Sequence, residues 1–190
     1  MVNNGKGKTY SSIKFCIDRK LATDCIIYTN VTSFKIFSDT IFITDINELI
    51  DTVISYCDNL PADTQPNIII FFDEIFTILE KGTKINKKIL SFISQLRKRK
   101  IILVTTAQEW LEINVTFRRY VRFQIDCNMI SIPILNTAFL INAVNDGEQL
   151  KWSQEENEYI APRIQTNISK GNLAIIDAYD TFETINVGKS

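Results

Sequence analysis

Residues 68–72, IIIFF, are an apolar run with no polar interruption, and the run ends abruptly on Asp73 and Glu74. β-Branched and aromatic side chains in such a run suit a strand at the centre of a parallel sheet, covered on both faces. The acid pair then lies together at the rim of that sheet, next to whatever the neighbouring strands and loops carry there. A chain of 190 residues can bury one sizeable core of this kind and not two comfortable ones.

The segments around the run alternate in period. Ile13, Ile17 and Leu21 predict a helical stripe over residues 9–21, and CIIYTN (25–30) and TIFIT (40–44) read as short strands. Asp45, three residues ahead of Glu48, marks a helix start with a capping partner, and the apolar spacing from Ile46 to Cys57 continues it. A helix over 84–99 follows, carried by Ile85, Ile89, Phe92, Ile93 and Leu96, and then a buried strand in KIILVTTAQ (100–108). Strand and helix in alternation predict an α/β fold with a mainly parallel sheet flanked by helices. After residue 119 the texture becomes strand-rich: YVRFQID, MISIPI, TAFLINAV and NLAIIDAY, with NDG (145–147) as a turn between strands. This tail predicts antiparallel strands added in the C-terminal third, at the edge of the sheet. There is no internal repeat or evident linker, so the expectation is a single domain over 1–190. Within it, 1–119 would be the βα core and 120–190 its strand-rich extension.

Composition removes several chemistries. Histidine is absent, which excludes Ser-His-Asp and Cys-His nucleophile sites and imidazole-bound zinc. Cys16, Cys25, Cys57 and Cys127 form no CxxC pair and read as reduced, mostly buried thiols. With 21 basic and 22 acidic residues the net charge is −1, so any nucleic-acid contact has to be local or summed over several copies. No apolar stretch approaches the roughly eighteen residues of a membrane span, and no signal peptide is evident. The sequence reads as soluble and cytoplasmic.

GKGKT (5–9), ahead of the first helix, has the form of the end of a phosphate-binding loop, GxxxxGK[ST]. Gly5 and Gly7 let backbone N–H groups turn inward on a phosphate chain, with Lys6 and Tyr10 flanking. Lys8 would reach the β- and γ-phosphates, Thr9 would bind Mg²⁺, and the helix N-terminus adds partial positive charge. The loop's opening glycine falls on Val2, and the strand that normally precedes such a loop is not found ahead of it. Read alone, GKGKT also fits a flexible basic tail, though less well than a phosphate loop. Asp73 and Glu74 supply the second half of the pattern: one acid for Mg²⁺, one to polarise an attacking water. Gln108, at the end of the next strand, fits a sensor of the γ-phosphate or a solvent-facing strand end. Arg118 and Arg119 in VTFRRYVRF suit either a charge-stabilising finger for a neighbouring subunit or strand capping. RKRK (97–100) reads as a helix C-terminus meeting its dipole more readily than as a DNA patch.

In this order, GKGKT, YTNV, IIIFFDE, SFISQLRKRKIILVTTAQ and FRRYVRFQID resemble the FtsK-HerA superfamily of P-loop motors. Within it, the likeness is to zonula occludens toxin-like (Zot) assembly proteins and viral genome-packaging ATPases, over nearly the whole chain. AYDTFE (178–183) adds to it weakly. The resemblance implies ATP and Mg²⁺ as cofactors, Lys8 and Thr9 as phosphate and metal ligands, and Asp73 and Glu74 as the acid pair. Gln108 is then the sensor, and Arg118 or Arg119 the finger acting in trans. It further implies a homo-oligomeric ring, commonly a hexamer, that moves DNA without sequence preference, with capsid or assembly proteins as further partners. The setting would be the host-cell cytoplasm or the virion. Val2 and the missing strand imply either an internal start within a longer protein or a sheet that has lost a strand. The rival expectations are a degenerate P-loop protein serving as an assembly module and a P-loop kinase. The kinase predicts an arginine-rich lid that the arginine positions here do not match.

Overall fold

The computed structural model describes residues 7–75, 78–82, 84–132, 137–155 and 157–171. In chain order these form α1 (Lys8–Thr23), β1 (Ile26–Thr29), β2 (Ile41–Phe42), α2 (Ile46–Asp58), β3 (Ile68–Phe72), α3 (Lys87–Arg99) and β4 (Ile102–Thr105). A short 3₁₀ turn (Trp110–Glu112) and α4 (Val115–Arg118) lead into β5 (Phe123–Ile132), β6 (Thr137–Asp146), β7 (Lys151–Ser153), β8 (Glu158–Ile160) and β9 (Arg163–Lys170).

β3 divides two cores, as its composition requires. All five of its residues are buried. Ile68, Ile70 and Phe72 point into the core made with α2 and α3, while Ile69 and Phe71 point into the core made with α1. Their period of two places helices on both faces of the sheet. The sheet is parallel throughout, in the order β2-β1-β3-β4, with Ile69 opposite Ile27 on one side and Ile102 on the other. β2 is shorter than TIFIT suggests, only two residues at the sheet edge.

The helices start where their caps allow. The Asp45 carboxylate accepts from the Asn47 and Glu48 amides at 2.9 and 2.8 Å, and Asn86 caps α3 in the same way through Lys88. α1 buries Tyr10, Ile13, Cys16 and Lys20, whereas Leu21, which the stripe places inside, is exposed. α3 ends in Arg97, Lys98 and Arg99, and Lys100 follows in the left-handed conformation that closes a helix. Arg99 pairs with Asp58 at 2.9 Å and Arg97 with Glu148 at 3.4 Å, which supports the structural reading of RKRK.

The strand-rich tail departs from the expectation of added edge strands. β5, β6 and β9 form a separate antiparallel sheet, and β7 and β8 a small hairpin. The cause is packing: Leu140, fully buried on β6, joins the α1 core, and Ser11 of α1 donates to Asn142 at 3.1 Å. The sheet thus leans on the start of α1, not on the edge of the parallel strands. NDG does turn the chain: the Asp146 carboxylate accepts from the Glu148 amide, and the Gly147 amide from the close-packed turn donates to Arg122 at 2.9 Å. NLAIIDAY and AYDTFE lie outside the described residues.

Candidate functional site

Parallel strands end on one rim, so β1, β3 and β4 bring their C-terminal residues together there, beside the N-terminus of α1. The rim holds a cleft of about 390 Å³ whose lining includes Lys8, Thr9, Asp73, Glu74, Gln108 and Glu109. Residues far apart in the chain therefore meet at one site.

Gly7 is the N-cap of α1 with φ 142, a backbone conformation that side-chain-bearing residues rarely adopt. Its carbonyl accepts from the Ser11 amide at 2.8 Å, so the helix begins immediately behind it. Lys8 reaches across the cleft and donates to the Gln108 carbonyl at 3.2 Å. The Thr9 hydroxyl donates to Asp73 Oδ2 at 3.1 Å. Gly5 and Lys6 lie outside the described residues.

Asp73 is nearly fully buried and is held from several sides. Its carboxylate accepts from Thr9 and from the Thr106 hydroxyl, a short contact. Its backbone is clasped by Asn30, whose carboxamide accepts from the Asp73 amide at 2.7 Å and donates to the Asp73 carbonyl at 3.0 Å. Burial pushes its pKa up, and the hydroxyl donors, the Glu74 amide and the Lys8 charge pull the other way. A buried carboxylate beside a threonine hydroxyl is a hard-oxygen donor set that fits Mg²⁺. Among the described residues no group of three or more His, Cys, Asp or Glu side chains gathers as an all-protein metal cage. Mg²⁺ commonly needs only one or two carboxylates with substrate phosphates. Glu74, half-buried beside it, has φ 53.

Two residues proposed from sequence are placed elsewhere. Tyr10 is buried in the core with Ile13 and Cys16 and does not line the cleft, because the first turn of α1 directs it inward. Arg118 is also buried: its guanidinium lies 5.8 Å from the centre of the Trp110 ring, a cation–π contact that fixes it in place. Its side chain is engaged within its own chain. Arg119, next to it, is exposed. Both arginines border a second, smaller cleft with Trp110, Leu150, Trp152 and Tyr159. Neither lines the acidic cleft of its own chain. Thr106 and Asn30 are the residues that sequence reasoning missed. The strand-end positions of both, YTN and VTT, are the available signal.

A parallel sheet between helices, with a Gly-Lys-Thr helix start facing an acid pair at the end of the central strand, is the α/β fold of P-loop NTPases, here with an added antiparallel sheet. Among solved structures, the chain is similar to the N-terminal domain of zonular occludens toxin from Neisseria meningitidis, with a TM-score of 0.51, 12% identity and 95% of each chain covered. It also overlaps the genome packaging NTPase B204 from Sulfolobus turreted icosahedral virus 2 in complex with ATP-gammaS. That match has a TM-score of 0.48 and 13% identity, and covers 65% of this chain and 68% of the other. At 12% identity the likeness to the first is one of fold. No protein-family profile matches the sequence, and no curated protein does.

Proposed function

We propose that this protein binds and hydrolyses ATP, and that it does so as a motor moving DNA during viral or mobile-element genome packaging. The observation that carries the reading is the meeting of Lys8 and Thr9, at the head of α1, with Asp73 and Glu74 at the end of β3. Lys8 and the helix N-terminus would hold the phosphates. Thr9 and Asp73 would hold Mg²⁺, which supplies charge neutralisation at the β- and γ-phosphates. Glu74 would orient a water and take its proton during in-line attack on the γ-phosphorus, and Gln108 would sense the γ-phosphate from the cleft wall.

The described lining of the cleft carries Lys8 against Asp73, Glu74 and Glu109, so among the described residues the charge building on the transferred phosphoryl group meets Lys8 as its one cation there. A neighbouring copy would supply it. Arg119 is the exposed candidate, and the half-exposed Trp152 and Tyr159 around it have the composition of a protein contact. This arrangement is head-to-tail and closes into a ring, with a hexamer as the expected form. DNA, and capsid or assembly proteins, are the further partners. Among the described residues no helix is long and apolar enough to cross a membrane. We place the protein in the host cytoplasm or on the virion.

The test is ATP turnover with and without DNA, beside the Glu74→Gln variant. The expected result is DNA-stimulated hydrolysis that falls about 100-fold or more in the variant, with nucleotide binding retained. Failure of the wild type to bind or turn over ATP at high protein concentration would overturn the enzyme reading.

A further inference from the structure

Glu74 lies in the left-handed backbone region, at φ 53, where residues other than glycine, asparagine and aspartate are seldom found. A conformation of that kind persists only where its surroundings enforce it. Two side chains do so, one from each strand flanking β3. Asn30, at the end of β1 and 1% exposed, closes a two-bond ring on the Asp73 backbone. Thr106, just past β4 and 7% exposed, accepts from the Glu74 amide at 2.9 Å and donates its hydroxyl hydrogen to Asp73 Oδ1. A hydroxyl has a single hydrogen to give. Here it goes to one acid while the oxygen holds the backbone of the other. Thr106 thus joins the carboxylate of Asp73 to the peptide of Glu74, which Asn30 does not.

We propose that Thr106 is a positioning residue of the site: its hydroxyl locks the two acids in one mutual orientation, leaving Asp73 Oδ2 turned to Thr9 and the Glu74 side chain aimed at the cleft. Without the hydroxyl, the Glu74 peptide loses its acceptor and relaxes out of the left-handed region, carrying the carboxylate away from the water it would activate. Phosphate binding by Lys8 and the α1 N-terminus does not pass through Thr106. Asp73 keeps its Thr9 contact without Thr106, so the effect falls on turnover far more than on affinity. The inference rests on the ATPase reading for its kinetic consequence, but not for the clamp itself.

The experiment compares Thr106→Val, which keeps the shape and removes the hydroxyl, with Thr106→Ser, which keeps the hydroxyl. The first measurement is amide hydrogen exchange of the full nucleotide-free chain, with Ile70 and Phe71 as reporters of intact β3. Faster exchange at Glu74 in Thr106→Val, with Thr106→Ser and the β3 amides unchanged, is expected. Equal exchange at Glu74 in wild type and Thr106→Val overturns the clamp, whether or not the protein hydrolyses ATP. In kinetics, Thr106→Val lowers kcat by roughly 100-fold, the scale of a misplaced reacting group, with KM for ATP nearly constant and Thr106→Ser close to wild type. A loss shared equally by the serine variant, or a raised KM at constant kcat, overturns the positioning role. Wild-type inactivity defeats the ATPase reading and leaves the exchange result to decide the clamp.

Discussion

Arg118 and Arg119 are adjacent in sequence and opposite in circumstance. Arg118 spends its guanidinium on the face of Trp110 and its stem on the interior, while Arg119 stands in solvent. Truncating a buried, ring-stacked arginine removes packing as well as charge, so Arg118→Ala should cost about 2 kcal/mol of folding stability. Arg119→Ala should stay within about 0.5 kcal/mol of wild type, as exposed substitutions do, and should instead lower ATP turnover. Urea denaturation of the two variants, with hydrolysis assays in parallel, checks the assignment. A stable but inactive Arg118→Ala beside a fully active Arg119→Ala would reverse it. Sequence alone leaves the pair interchangeable, because the feature that separates them is a ring eight residues away that folding brings underneath one of them. Thr106 and Asn30 escape a sequence reading for the same reason. Asn30 lies 43 residues from Asp73 and Thr106 lies 32 from Glu74, and nothing local to a strand-end asparagine or threonine announces these partners.

At the scale of elements, what was legible is what is local. The IIIFF run states its own two-sided burial, and Asp45 and Glu48 state where α2 begins. The placement of the antiparallel strands was not legible, since the alternation in β5 and β6 says which face is apolar but not which helix that face meets. α1 shows a further tertiary device. Lys20 is buried along its stem and carries its ammonium out to Asp24 at 2.9 Å and to Asp39, in the β1–β2 connection, at 2.5 Å. Its pKa is raised by the hydrogen bonds to Asp39 and Asp24, and that of Asp39 is lowered by Lys20. A lowered carboxylate contributes stability above its ordinary range and loses it as pH falls. A raised lysine contributes below its ordinary value and loses it as pH rises through the folded one. Lys20→Met, which keeps the stem, should therefore be less stable than wild type by a constant margin from about pH 5 to about pH 9. That margin should narrow on both sides of the window. Denaturation midpoints across that range measure it, and a margin independent of pH down to the acid limb would show that the ion pair contributes nothing.

At the scale of the whole molecule, the described residues include two unlike openings, one acidic and carrying the loop lysine, the other bordered by two arginines and aromatic rings. If a working site is assembled from the first opening of one copy and Arg119 of the next, the two halves are separable genetically. Lys8→Ala destroys the first half and leaves Arg119 intact, and Arg119→Ala does the reverse. Each variant alone should be inactive. Mixed in equal amounts and allowed to reassemble, they form contacts in which an intact Lys8 faces an intact Arg119, about one contact in four for random head-to-tail association. Hydrolysis should reappear on mixing, at a fraction of the wild-type rate set by that share and by any coupling between sites, and it should fall on dilution as copies dissociate. A Glu74→Gln subunit mixed with Lys8→Ala should restore nothing, because both lesions sit in the same opening. Recovery in that control would mean that Lys8 and Glu74 serve one site from different chains, and no recovery in the first mixture, when the copies are shown to associate, would remove the need for Arg119 of a neighbour.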